Sequence, residues 1–265
     1  MSSPPPVLEG HISKAFDGAL AGLHIRALEM GGLVLDQVRE AARAYTEWDM
    51  HAAARVIDRA SMVSAYEASI DHDQFTLIAR RQPVSRDLRA IFALAKSVAE
   101  LQRAEAEARK IARTVLQQNG RPARATSVDV RHLAQLATSL LRLALEALDR
   151  IDGAIARQVI ERDDELDGEY AAGLRRLLTH AMEDPRHLDV AMEAAFVLKS
   201  LEAIGEHARI IARQVASIVP EGEQRSAEGG SGSLGDAPPP DTPSSSPSPT
   251  GSASPAASAS PDETH

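Results

Sequence analysis

Residues 101–115, LQRAEAEARKIARTV, and residues 201–215, LEAIGEHARIIARQV, read as one helix written twice. Leu101, Ala104, Ala108, Ile111 and Val115 in the first stretch stand where Leu201, Ile204, Ala208, Ile211 and Val215 stand in the second. Steps of three and four residues draw an apolar stripe down one side of an α-helix. The correspondence continues upstream. Val56-Ile57-Asp58-Arg59 answers to Val159-Ile160-Glu161-Arg162, and Gln82-Pro83 falls near Asp184-Pro185. The order long helix, long helix, proline, long helix therefore occurs twice, which predicts two related three-helix bundles.

Further stripes fill in the rest. Phe16, Leu20, Leu23, Ala27, Met30, Val34 and Val38 predict a first helix over about residues 7–47. Asp49 is a candidate N-cap for a second helix reaching about Arg81, where Pro83 stops it. A third runs from about 85 to 118, ended by Asn119-Gly120-Arg121-Pro122. Thr126 or Ser127 opens a fourth that closes near Asp152-Gly153, a fifth reaches about Glu183, and a sixth spans about 186–218. The expected fold is all-α: two tandem three-helix bundles, six up-and-down helices, and a disordered C-terminal tail. Residues 1–7 are a flexible N-terminus, 8–120 the first bundle, 126–219 the second, and 220–265 the tail. Nine of the 15 prolines lie at or after Pro220, in a stretch with almost no large side chain to offset its ordering entropy.

Composition closes off several function classes. The chain has 265 residues, no cysteine and an aromatic share of 3%. Disulfides, thiolate metal sites and cysteine nucleophiles are thereby excluded, and an all-β fold is disfavoured. Net charge is −9, of which residues 221–265 carry −6 through seven acids against Arg225. A basic nucleic-acid binder is not expected. The N-terminal MSSPPPVLEGH has neither a basic nor an apolar signal region, and no apolar run approaches the ~18 residues a membrane span needs. A soluble cytoplasmic protein is the expectation. There is no Gly-x-Ser-x-Gly elbow and no phosphate-cradling Gly-x-x-x-x-Gly-Lys loop.

One constellation carries chemistry. Asp163 and Asp167 are spaced i, i+4, and so are Glu202 and Glu206, so each pair shares a helix face. The two helices are antiparallel neighbours across the turn near Pro185, and at 1.5 Å per residue the pairs lie within roughly 8 Å of one axial level. Four carboxylates gathered there suit a hard divalent or trivalent cation, with a solvated helix face as the plainer alternative. His207, next to Glu206, is a candidate outer-shell group. None of the nine His follows a Glu by three residues, so the Glu-x-x-His pairs of ferritin-like oxidases are missing.

ERDDELD at 161–167, EDPRHL at 183–188 and LEAIGEHARIIA at 201–212 resemble the second repeat of the PhoU family of bacterial phosphate-signalling proteins. ALEMGGLVLDQV at 27–38 and RQPVSRDLRAIFALAKSVAELQRAEAEARKIA at 81–112 resemble its first repeat. The resemblance covers about residues 8–218. It implies a non-catalytic regulatory adaptor that negatively regulates phosphate uptake and phosphate-starvation signalling. On that reading it couples the ATPase of the phosphate ABC transporter to a sensor histidine kinase, as a homodimer, at most peripheral to a membrane. It also implies acidic E/D-x-x-x-D motifs that bind metal clusters. Asp163, Asp167, Glu202 and Glu206 keep that pattern in the second repeat, while Ala60, Ser64, Gln102 and Ala106 stand in the corresponding places of the first. A single site is thus expected, for Mg, Mn, Fe or Zn. The alternatives are a ferritin-like storage or redox protein and a metal-free structural interaction module.

Overall fold

The computed structural model describes residues 14–117, 127–184, 186 and 188–219. The expected flexible N-terminus, the Asn-Gly-Arg-Pro stop, the turn at Pro185 and the expected disordered tail lie outside the described residues. Among the described residues every regular element is an α-helix: α1 (Lys14–Glu47), α2 (Met50–Asp58), α3 (Ala60–Arg81), α4 (Ser85–Gln117), α5 (Ser127–Arg150), α6 (Gly153–Glu183) and α7 (Leu188–Ile218).

Two caps with the same construction open corresponding helices. Asp49 accepts hydrogen bonds from the backbone N–H groups of His51 and Ala52, both at 2.9 Å, and Asp152 accepts from Ala154 at 2.7 Å and Ile155 at 3.1 Å. Each cap satisfies amide donors that the helix itself cannot. The residue before each cap, Trp48 at φ 60° and Ile151 at φ 50°, takes the left-handed conformation that reverses the chain. Trp48 packs in that turn, edge-on to Tyr45 with ring centroids 5.9 Å apart.

The single helix expected from Asp49 to Arg81 is interrupted. Arg59 has ψ −12°, and the N–H of Met62 bonds to its carbonyl at 3.0 Å, an i→i+3 bond that tightens the backbone locally. Two forces hold the break. Ser61 donates its hydroxyl to the Asp58 carbonyl at 3.2 Å, competing for a helical acceptor. Glu40 of α1, 13% exposed in its side chain, binds Arg55 at 2.8 Å through one oxygen and Arg59 at 3.1 Å through the other. One carboxylate therefore clamps the last turn of α2 and the kink after it onto α1.

Helices α1, α2, α3 and α4 pack together, as do α5, α6 and α7. The two groups are joined by two long helix pairs, α4 on α7 and α1 on α5. Their buried stripes merge into one hydrophobic cluster running from Phe16 to Val219. Glu100 faces His207 across α4 and α7, while Glu107 and Ser200 line a common groove. α4 and α7 therefore run antiparallel. On the α1–α5 contact, a Cβ at Gly31 would lie 2.3 Å from the tip of Leu145, so glycine permits the close crossing there.

α1 is the one described helix long and apolar enough to cross a membrane by length and composition, with a mean hydropathy of 1.2 in its most apolar window. Its apolar side chains are committed elsewhere. Leu23, Ala27, Met30, Val34 and Val38 are all essentially fully buried in the core.

Candidate functional site

The acidic site is assembled by the α6–α7 hairpin. Leu166 is fully buried between Asp163 and Asp167 in sequence, and its tip lies where a Cβ on Gly205 would have to sit, at 1.9 Å. Glycine at 205 lets the two helices close to that distance, which brings Glu202 and Glu206 of α7 alongside Asp163 and Asp167 of α6. Asp163 is the innermost, 6% exposed; Glu202 and Glu206 are half-buried and Asp167 is exposed.

Two cations from α7 neutralise this cluster from within. Arg209 holds Asp163 Oδ2 at 2.7 Å through Nε, and the same guanidinium binds Glu206 through Nε at 2.7 Å and through Nη2. Lys199 donates to Glu202 at 2.6 Å and lies 5.4 Å from the centroid of the Tyr170 ring. Both cations are held above their ordinary pKa: Arg209 by its hydrogen bond to Glu206, then by the charges of Glu206 and Asp163, and Lys199 by its hydrogen bond to Glu202. Asp163 moves the other way from a typical ion-paired acid. Burial pushes it up to about 6; Arg209 pulls it down, and Asp167, Glu206 and Asp164 push it up again. The site is thus a compact charge network with one carboxyl group held well above the ordinary carboxylate range.

As placed, these side chains are partners of cations already in the chain. Among the described residues no three His, Asp or Glu side chains form a group able to hold a metal ion. A metal entering at Asp163, Asp167, Glu202 and Glu206 must displace Arg209 and Lys199. The oxygen donors suit a hard cation, but their present arrangement does not fit one.

His207 does not attend the cluster. Its Nδ1 points across to α4 and donates to Glu100 Oε2 at 2.8 Å, while Arg103 binds the other oxygen of Glu100 at 2.5 Å. It ties the two repeats together. The first repeat has no counterpart of the acidic site: Ala60, Ser64, Gln102 and Ala106 offer no carboxylate. Glu105 stands instead where the second repeat has Gly205, 2% exposed and 3.2 Å from Arg109. Burial raises its pKa, and Glu105 Oε1 and Arg109 Nε have no hydrogen-bond partner. Glu105 stands one residue before position 106, off the i, i+4 spacing of positions 102 and 106. Arg209 and Lys199 were legible as i+3 and i−3 partners of Glu206 and Glu202, since cations at those spacings reach carboxylates on the same helix face.

The PhoU domain pattern matches twice, at residues 27–115 and 130–215. The chain belongs to the PhoU family. It is 39% identical over 214 residues to the phosphate-specific transport system accessory protein PhoU homolog of Pseudomonas putida, covering 80% of this chain and 83% of that protein. It is 33% identical over 204 residues to the phosphate-specific transport system accessory protein PhoU of Escherichia coli K12, covering 77% and 85%. The crystal structure of PhoU from Pseudomonas aeruginosa superimposes with a TM-score of 0.74 at 37% identity, covering 77% of this chain and 98% of that one. The two matched segments fall within the two helix groups, α1–α4 and α5–α7. In this member the acids of the second repeat are paired with Arg209 and Lys199.

Proposed function

We propose that this protein is an accessory regulator of phosphate transport that damps phosphate uptake and phosphate-starvation signalling without catalytic turnover. The observation that carries the reading is the double PhoU match together with relatives named as accessory proteins of the phosphate-specific transport system. In the finer form of the proposal, helix faces bind the ATPase of the phosphate ABC transporter and a sensor histidine kinase, in the cytoplasm, and the chain acts as a homodimer.

Side chains that do not serve the core support a binding role. Phe75, Val84 and Phe92 are more than half exposed around the α3–α4 turn, and Met182 and Phe196 likewise flank the α6–α7 turn. Large apolar groups left in water at helical-hairpin ends suit contact with partner surfaces. Any divalent or trivalent ion the protein takes up is proposed to enter at Asp163, Asp167, Glu202 and Glu206, in competition with Arg209 and Lys199.

The test is genetic and biochemical. A strain lacking every copy of the protein should express phosphate-uptake functions when phosphate is plentiful. The full-length tagged chain should retain the transporter ATPase and the kinase from phosphate-replete cells. A normal phosphate response in the deletion strain would sink the regulatory reading. Retention of the ATPase without the kinase would remove only the signalling half.

A further inference from the structure

The geometry points to a binding site for a nucleoside polyphosphate in the groove between α1 and α5, well away from the acidic hairpin. Arg39 and Arg43 of α1 and Arg131 and Arg142 of α5 line a cavity of about 490 Å³, with Glu47 the one acid among its lining residues. In a chain of net charge −9, four guanidinium groups around one groove invert the local charge. With four guanidinium groups against one carboxylate, the lining is net positive and favours a further anion.

Their internal partners hold them weakly. Arg39 lies 3.5 Å from Asp36, Arg43 3.8 Å from Glu47 and Arg142 3.6 Å from Glu146, all pairs within a single helix. The three arginine side chains are each about half exposed, and ion pairs of this kind contribute little in water. Contrast Arg209, whose contacts with its two acids are far shorter. The groove arginines are thus free to turn toward a ligand.

The floor narrows the class of ligand. Where α1 and α5 are close, Gly31 accommodates Leu145 and His24 reaches the Asp149 carbonyl. Toward the other end of the pair, Ala42 and Ala134 present only methyl groups, and the helices leave a space between them. A single phosphate would leave most of that space empty, whereas ~300–1,000 Å³ is the range of pockets that take drug-sized molecules. A bare polyphosphate chain has no apolar part to cover the alanines. A nucleotide has both halves: a planar base to lie on the methyl floor and arginine planes, and phosphoryl groups for bidentate guanidinium contacts. Thr46, Thr138 and Ser139 add hydroxyls within the same groove.

Calorimetric titration of the full chain in metal-free buffer tests this, using ATP, ADP, inorganic triphosphate and inorganic phosphate as probes. ATP should bind most tightly, ADP next and inorganic phosphate least, with affinity falling as salt rises. Arg43→Gln with Arg131→Gln should weaken ATP at least about tenfold for each charge removed. Thr138→Glu, which places an acid in the groove, should abolish binding, and all variants should keep the parent melting temperature. Failure of both nucleotides to bind at millimolar concentration overturns the site. So does an affinity that these substitutions leave unchanged. Triphosphate binding as tightly as ATP overturns the nucleotide assignment.

Discussion

Replacing Asp163 with Asn should stabilise the protein at neutral pH and leave it unchanged in acid. Asp163 ordinarily ionises near 3.8, and burial beside Asp167 and Glu206 moves it to about 6 in the folded chain. A shift of about two units corresponds to roughly 3 kcal/mol of differential stability. Above pH 6 the group is ionised in both folded and unfolded chains, and folding bears the full burial penalty. As the pH falls from about 6 toward 3.8 the folded chain takes up the proton first, so the penalty shrinks, and below that range it is gone. Asn has the shape of the neutral acid. Its carbonyl can still accept from Arg209, and Arg209 keeps Glu206, so no cation is orphaned. The substitution should therefore raise stability by about 1–3 kcal/mol near pH 7.5, the upper figure being the whole shift, in which the attraction to Arg209 is already counted. For a domain of this size that is a rise of roughly 2–4 °C per kcal/mol. Urea midpoints of both proteins at several pH values between about 4.5 and 7.5, with equal slopes, measure the difference. His24 is also buried, and burial lowers its pKa, which weakens the fold as pH falls through the ordinary histidine range. It does so equally in both proteins and cancels. A gain that stays constant with pH, or a loss at neutral pH, would refute the reasoning.

The same pairing and packing set the outcome of three other sets of substitutions. Arg209→Gln removes the guanidinium that a metal must displace, so Mn²⁺ should bind that variant more tightly than the parent, whereas Asp163→Asn with Glu202→Gln should bind none. Tight binding by the parent, equal to that of the arginine variant, would show that Arg209 does not compete. Gly205→Ala should cost about 1–3 kcal/mol because the new methyl meets fully buried Leu166, while Gly32→Ala, with open space at its Cβ, should gain up to about 1 kcal/mol from helix propensity; opposite signs in thermal melts are the check. Gln37 is fully buried with neither side-chain polar atom hydrogen-bonded, so Gln37→Leu should raise stability by about 1–2 kcal/mol in urea titration, and a loss would mean that the amide has a buried water partner.

The helices were written in the sequence because their determinants are local. Stripes at three- and four-residue steps, Asp49 as a cap and Pro83 as a stop act within a turn or two of the chain, and the repetition of the pattern carried the pairing of elements into threes. The break at Arg59 was not legible: the Ser61 hydroxyl is a local cause but a weak one, and the clamp comes from Glu40, nearly twenty residues away on another helix. Spacing likewise put Asp163 with Asp167 and Glu202 with Glu206 on their helix faces, and the missing acids of the first repeat could be read directly. What spacing could not fix is the direction each side chain takes once helices pack. Only the tertiary structure turned His207 toward Glu100 instead of the acidic cluster, buried Asp163 deeply enough to move its ionisation, and set two alanines opposite each other to open the arginine-lined groove. A helix face is decided by angles along one chain. Neutralisation, burial and cavities depend on which faces meet, and no local signal records that.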